Sequence, residues 1–187
     1  MTKKELRKRY KEKRNALSQQ DFDQRKRQVF ELLKDYILAG DFKTIHSFIG
    51  IERLREIPIE QLFDFFENNG LRIAVSKSNF EDSSMSHFWR DDKLKLKKSS
   101  WGILEPQTGI QAAVKDFDLI LVPLLAYDKS KQRLGYGKGF YDRFLAGCRP
   151  DCICIGLSLF DEENELPELN QYDQALDLII RPSGLLS

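Results

Sequence analysis

The chain has 187 residues, of which 41% are hydrophobic and 32% charged, and its formal net charge is +1. This size and balance predict one folded domain over residues 1–187 and exclude a chain that is disordered throughout. The longest strongly apolar run, residues 119–126, is far shorter than the roughly 20 residues that a membrane span requires. The charged start MTKKELRKRY does not resemble a signal peptide. We therefore expect a cytoplasmic protein without a membrane segment.

Two helices are predicted first along the chain. Thr2 with Glu5, and Ser18 with Asp21, have the spacing of capping boxes or of close variants. Each pair should therefore open a helix, and Gly40 is the expected stop of the second one.

Strands and helices then alternate. Further helices are expected over residues 58–69, opened by Pro58 and ended by Gly70, and between Gly139 and Gly147. The expected strands are residues 43–49, 71–75, 84–89, 93–97, 118–125, 152–157 and 176–180. This alternation predicts an α/β fold: a three-layer α/β/α sandwich, Rossmann-like, whose central sheet is mostly parallel and has helices on both faces. The most apolar segment, DLILVPLL (118–125), is the expected central strand.

The cysteines and histidines are predicted to be structural. Cys148, Cys152 and Cys154 lie close together with no histidine nearby in the sequence, which is not a zinc-site spacing. Cys152 and Cys154 alternate in an apolar run and should face one side of a strand as buried thiols. His46 and His87 lie on predicted strands, where we expect satisfied structural side chains.

Charge is distributed unevenly along the chain. Residues 1–27 contain eleven Lys or Arg and four Asp or Glu, whereas residues 151–180 contain eight acidic residues and no basic one. Two interpretations are open: attraction between the two ends of the chain, or a site for an anion together with a metal cation.

The most informative segment is RLGYGKGFYDR (133–143), which follows the apolar strand and opens a predicted helix. Glycines at alternate positions, Gly135, Gly137 and Gly139, allow positive φ and close approach of a ligand to the backbone. Free N–H groups and the charge of Lys138 would suit a phosphate. The segment matches neither the P-loop nor the dinucleotide pattern, and a generic tight turn is the alternative.

Two further features have open alternatives. Asp142 either stabilises the start of the helix or holds Mg²⁺ beside a bound phosphate. The basic residues of the first helix, from Lys3 to Arg14, either form a solvated face, hold a polyphosphate or bind nucleic acid. A sequence pI near 7.7 argues against nucleic acid.

RLGYGKGFYDRFL (133–145) resembles the signature of the 5-formyltetrahydrofolate cyclo-ligase family. The segments KKELR (3–7), WGILEP (101–106) and DLILVPLLAYD (118–128), and the late LP…YD…LD pattern (166–177), follow in the order found in that family. The resemblance implies an ATP- and Mg²⁺-dependent enzyme of one-carbon metabolism that converts 5-formyltetrahydrofolate to 5,10-methenyltetrahydrofolate. It also implies no covalent enzyme nucleophile.

The resemblance also implies roles for particular residues. The ATP-binding residues would be Lys3, Lys4, Arg7, Arg133, Leu134, Gly135, Tyr136, Gly137, Lys138, Gly139, Phe140 and Tyr141. Lys138, Arg133 and Tyr141 would act in catalysis. Asp142 and Asp173 would hold Mg²⁺. Glu56, Phe140, Tyr141 and Trp101 would contact the folate, with Glu56 hydrogen-bonded to the pterin.

Two other functions remain as alternatives. The first alternative is an enzyme that binds a nucleotide or a sugar phosphate and acts on a second substrate other than folate. It remains open because Ile59 and Ser76 stand where the family commonly has Thr and Pro. A non-enzymatic nucleic-acid-binding protein is the other, and it would show a steep salt dependence. The size and balanced charge lead us to expect a monomer that binds small molecules and neither nucleic acid nor membrane.

Overall fold

The computed structural model describes residues 1–99 and 102–187. Within them the α-helices are α1 (Lys3–Ala16), α2 (Gln19–Ala39), α3 (Phe63–Asn68) and α4 (Phe140–Ala146). Short 3₁₀ helices lie at Glu52–Leu54, Ile59–Leu62 and Val114–Asp116. None of the helices in these ranges has the length and apolar character that crossing a bilayer requires.

The strands of the described residues form one large sheet and two small ones. They are β1 (Thr44–Ser47), β2 (Arg72–Asn79), β3 (Ser84–Trp89), β4 (Lys95–Lys98), β5 (Leu104–Thr108), β6 (Gln111–Ala112), β7 (Leu119–Pro123), β8 (Ala126–Tyr127), β9 (Arg133–Leu134), β10 (Ile153–Leu157), β11 (Leu178–Arg181) and β12 (Gly184–Leu186). Eight strands form the large sheet in the order β12-β11-β10-β7-β1-β2-β3-β6, while β4 pairs with β5 and β8 with β9. The five strands from β11 to β2 are parallel, and β12, β3 and β6 are antiparallel.

Side chains of the central strand β7 alternate between two hydrophobic cores. Leu119 and Leu121 face the core that α1, α2 and α3 cover, whereas Ile120 and Val122 face the core that contains Phe144 of α4. All four of these strand side chains are fully buried. The predicted α/β sandwich with a mostly parallel central sheet is therefore confirmed, with three helices on one face and one on the other.

Local predictions hold where a specific contact enforces them. Glu5 N–H donates to the Thr2 hydroxyl at 3.2 Å, and the Glu5 carboxylate accepts from Thr2 N–H at 2.7 Å, so the first capping box is complete. Ser18 caps α2 by accepting from Asp21 N–H at 3.0 Å. The predicted structural role of Cys152 and Cys154 agrees with their burial as free thiols in one core.

One predicted element differs from the structure, and strands β5, β6, β8, β9 and β12 were not predicted. The segment predicted as a helix over 58–69 begins as a 3₁₀ turn, because Ile59 and Leu62 are both buried at a three-residue spacing. Strand β5 was not predicted, since Pro106 interrupts it and most of its side chains are exposed.

Candidate active site

One cavity of about 990 Å³ lies at the carboxyl ends of the parallel strands. Phe48 follows β1, Ser76 lies on β2 and Pro123 ends β7, and all three line it. The cavity is also lined by helix α1, by β5, by residues 170–174 and by the glycine-rich loop, residues 135–139. Ligands of open α/β sheets bind at this end of the strands, so the cavity has the position of an active site.

The cavity brings together most of the residues that the sequence singled out. Those that line it are Lys3, Arg7, Glu56, Arg133, Leu134, Gly135, Tyr136, Gly137, Lys138, Gly139, Phe140, Tyr141, Asp142 and Asp173. Lys4 is exposed and is not among the lining residues. The prediction for Trp101 lies outside the described residues.

Two of the three alternating glycines adopt the positive φ that glycine allows. Gly137 has φ +92° and Gly139 has φ +70°, values that other residues adopt only with strain. Gly135 does not have a positive φ. Arg7 of α1 fixes the loop instead, since its Nε donates to the Gly135 carbonyl at 2.9 Å.

The two aspartates proposed as metal ligands are ion-paired. Arg133 Nη2 donates to Asp142 Oδ1 at 2.6 Å, and Lys3 Nζ donates to Asp173 Oδ2 at 2.9 Å. Burial alone would raise the pKa of Asp173, but hydrogen bonds from Lys3 and from Asn170 N–H lower it overall. Both carboxylates are therefore held in place by cations, and the basic and acidic parts of the chain attract each other here.

A buried carboxylate lies at another part of the cavity wall. Glu56 is 7% exposed and accepts hydrogen bonds from Ile51 N–H at 2.9 Å and from the Tyr136 hydroxyl. Burial raises the pKa of Glu56, and these two hydrogen bonds oppose the shift. Burial and the neighbouring Glu56 charge also raise the pKa of Tyr136, so this hydroxyl keeps its proton at neutral pH.

Arg14 supports this carboxylate from behind, which the sequence did not indicate. It is 6% exposed, and its guanidinium donates to the carbonyls of Leu54 and Leu124, at 3.2 and 2.9 Å, and to the Tyr136 hydroxyl at 3.1 Å. The interpretation of α1 as a solvated basic face is therefore wrong for Arg14. Its spacing in α1 gave no signal, because Lys4 and Lys11 have the same seven-residue separation as Arg7 and Arg14 and are exposed.

Two histidines meet behind the cavity wall. The Ser76 hydroxyl lies 2.6 Å from His46 Nε2 and 2.9 Å from His87 Nδ1. Burial lowers the pKa of His87 to about 4 and holds the pKa of His46 well below its usual range. Both rings are therefore neutral at neutral pH. The predicted structural role agrees with this packing, but His46 is not fully satisfied, because its Nδ1 is buried without a hydrogen-bond partner.

Sequence reasoning also missed Glu105, a buried side chain of β5 that lines the cavity. It lies in the WGILEP segment, which was noted only for its resemblance to a family. A glutamate beside apolar residues in a segment without clear periodicity was the one available signal.

Comparison with known proteins gives a consistent result. The sequence profile described as the 5-formyltetrahydrofolate cyclo-ligase family matches residues 1–182. A 5-formyltetrahydrofolate cyclo-ligase of Mus musculus is 28% identical over 94% of this chain and 91% of its own length. One from Haemophilus influenzae is 42% identical over 46% of this chain, and the alignment spans about half (48%) of that protein.

A solved structure agrees over the whole length. The 5,10-methenyltetrahydrofolate synthetase of Mycoplasma pneumoniae superimposes with a TM-score of 0.79 at 26% sequence identity. The match covers 97% of this chain and 99% of that one. The resemblance drawn from the motifs is therefore confirmed.

Proposed function

The chain belongs to the 5-formyltetrahydrofolate cyclo-ligase family, and we propose that it converts 5-formyltetrahydrofolate to 5,10-methenyltetrahydrofolate with cleavage of ATP to ADP and phosphate. The observation that carries the proposal is a single cavity that joins a cation-rich glycine loop to the buried carboxylate of Glu56. A phosphate donor and a planar, donor-rich heterocycle can therefore lie side by side in it.

The proposed chemistry has two steps. The formyl oxygen attacks the γ-phosphorus of ATP, the bond to ADP breaks, and the formyl carbon gains a phosphate leaving group. The lone pair of N10 then attacks this carbon, the N10 proton is lost, and the carbon–oxygen bond to phosphate breaks. The protein contributes by positioning the reactants and neutralising charge, as is usual in phosphoryl transfer.

Four cationic side chains around the loop suit the phosphates. Lys3, Arg7, Arg133 and Lys138 all line the cavity. Arg133 is buried, so its charge acts in a medium that screens it less than water does. Tyr141, whose pKa burial raises, stays a neutral hydroxyl donor beside these groups. We assign Lys138, Arg133 and Tyr141 to charge stabilisation in the transfer step.

The carboxylates fit Mg²⁺ that arrives with a nucleotide. No group of three or more candidate metal ligands is present in residues 1–99 and 102–187. Mg²⁺ in phosphate sites usually takes only one or two carboxylates, with water and phosphate oxygens as the other ligands. Asp142 and Asp173 would hold the ion, which would supply charge neutralisation at the phosphates.

Glu56 suits the pterin. Because its carboxylate already accepts from Ile51 N–H and the Tyr136 hydroxyl, its orientation in the cavity is fixed before the substrate arrives. Phe140 forms an edge contact with Phe80, with ring centroids 5.3 Å apart, and both line the cavity as apolar surface for the folate.

We also propose that the protein acts on small molecules as a cytoplasmic monomer and does not bind nucleic acid. Some of the charge on α1 is already paired with acidic side chains of the same chain, which leaves less of it to face nucleic acid. Lys3 pairs with Asp173, and Arg9 lies 3.4 Å from Glu163.

The test is to mix purified protein with MgATP and 5-formyltetrahydrofolate and to record the near-ultraviolet absorbance of the methenyl product together with ADP release. Omission of ATP, Mg²⁺ or folate should each abolish the signal. ADP release without the absorbance change would contradict folate as the acceptor. Neither signal, with no binding of ATP, would contradict the whole assignment.

A further inference from the structure

A second carboxylate lines the cavity, and the reaction described above gives it no role. Glu105 lies on β5 and is only 7% exposed, although the neighbouring Leu104 is 40% exposed. Both line the cavity, as does Ile103 just before them. An acidic side chain is thus buried against the cavity in an otherwise apolar strip of wall.

The contacts of Glu105 differ from those of Glu56. Among the described residues, the Glu105 carboxylate accepts no hydrogen bond and forms no ion pair within 4.0 Å, whereas Glu56 accepts two hydrogen bonds. Lys97 stands directly opposite Glu105 in the β4–β5 register. Its side chain is exposed, however, and it does not form an ion pair with Glu105.

In the described part of the chain, the Glu105 oxygens are not among the enclosed side-chain polar atoms that lack a partner, so water in the cavity can solvate the carboxylate. A ligand that displaces this water must bring N–H donors in its place, or the carboxylate is left without hydrogen bonds. A carboxylate only accepts hydrogen bonds, and it repels phosphate, so the polyphosphate of ATP does not suit this position.

We propose that Glu105 is a specificity-determining residue that accepts a hydrogen bond from a neutral N–H group of the folate. The inference rests on the proposed function, in which the folate occupies this cavity. A reduced folate offers such donors on its pteridine ring and at N10. Glu56 and Glu105 would then contact different donors of one substrate, and a ligand without the second donor would displace the water at Glu105 without replacing its hydrogen bonds.

The first measurement is the melting temperature of the ligand-free protein. Glu105→Gln should change it by less than about 2 °C, because the carboxylate has no hydrogen bond or ion pair to lose among the described residues. Glu56→Gln should lower it, since that carboxylate has partners. A lower melting temperature for both Glu105→Gln and Lys97→Met would mean that the two side chains form a structural ion pair, and would overturn the proposal.

The second measurement separates the two substrates. Glu105→Gln should raise the KM for 5-formyltetrahydrofolate about tenfold or more, as expected for loss of a hydrogen bond to a charged group, and leave the KM for ATP within twofold. Glu67→Gln is the matched control and should change neither KM. Glu67 lies on α3 and forms a surface ion pair with Arg90. An unchanged folate KM, or a rise in the ATP KM instead, would overturn the role of Glu105. Failure of the wild-type protein to turn over folate would instead reject the proposed function.

Discussion

Replacing Gly137 with Ala should strain the glycine-rich loop in two ways. Its φ of +92° is unfavourable for an L-residue by about 1–2 kcal/mol. A Cβ built there would lie 2.9 Å from the guanidinium carbon of Arg7, so Arg7 must move and weaken its hydrogen bond to the Gly135 carbonyl. Adding about 1 kcal/mol for that bond, we expect a loss of about 2–3 kcal/mol and a fall in melting temperature of about 5–10 °C.

Gly135→Ala is the matched control in the same loop. A Cβ at Gly135 would meet no atom within 4 Å and its φ is not positive, so its stability should stay within about 0.5 kcal/mol of the parent. Thermal and urea denaturation of the two variants measure the difference directly. Equal losses for both variants, or no loss for Gly137→Ala, would refute the reasoning from backbone conformation and from the contact with Arg7.

Other consequences of the structure can be measured. The low folded pKa of His87, about 4 against 6.5 for the free side chain, means that the unfolded chain binds the proton first. The contribution of His87 to stability should therefore be constant above pH 6.5 and fall by about 3 kcal/mol between pH 6.5 and 4. In urea unfolding at several pH values, the free energy of unfolding of His87→Gln should fall less steeply with decreasing pH than that of the parent. Equal pH dependence of the two proteins would contradict this role of His87. Arg14→Met should lower stability by about 2–5 kcal/mol, because it leaves two carbonyls and the Tyr136 hydroxyl without their buried donor, and a change below 1 kcal/mol in denaturant unfolding would contradict that. Asp142→Ala should abolish turnover that requires Mg²⁺ and lower the melting temperature as well, since it leaves the Arg133 charge buried and unpaired; normal turnover would remove Asp142 from the site.

Local sequence patterns were sufficient for the elements that have a local cause. Capping pairs such as Thr2 with Glu5 bring their partners within one turn, and the apolar run that becomes β7 is buried whatever its neighbours are. The glycine loop was recognisable because the positive φ of Gly137 and of Gly139 depends on the glycines themselves, whereas the hydrogen bond from Arg7 that fixes the loop comes from α1.

Contacts between distant segments could not be predicted in this way. Arg14 is buried because three partners from separate parts of the chain converge on it, and nothing in α1 distinguishes it from its exposed basic neighbours. Glu105 likewise becomes a cavity residue only when β5 packs beside β2. A charge in the sequence does not reveal whether it will be solvated or buried.

The two interpretations of the uneven charge are compatible with each other. Lys3 and Arg133 neutralise Asp173 and Asp142, which leaves these four groups without net charge. The burial of the Arg133 side chain (5% exposed) means that this pairing offsets a desolvation cost that either charge would carry alone. Phosphate oxygens that approach Lys3 and Arg133 would compete for the same cations, and a carboxylate released in this way would need a new positive partner. An anion alone should therefore bind weakly here. An anion together with a divalent cation should bind well, because the anion then replaces the aspartates as partner of Lys3 and Arg133, and the cation replaces Lys3 and Arg133 as partner of the aspartates.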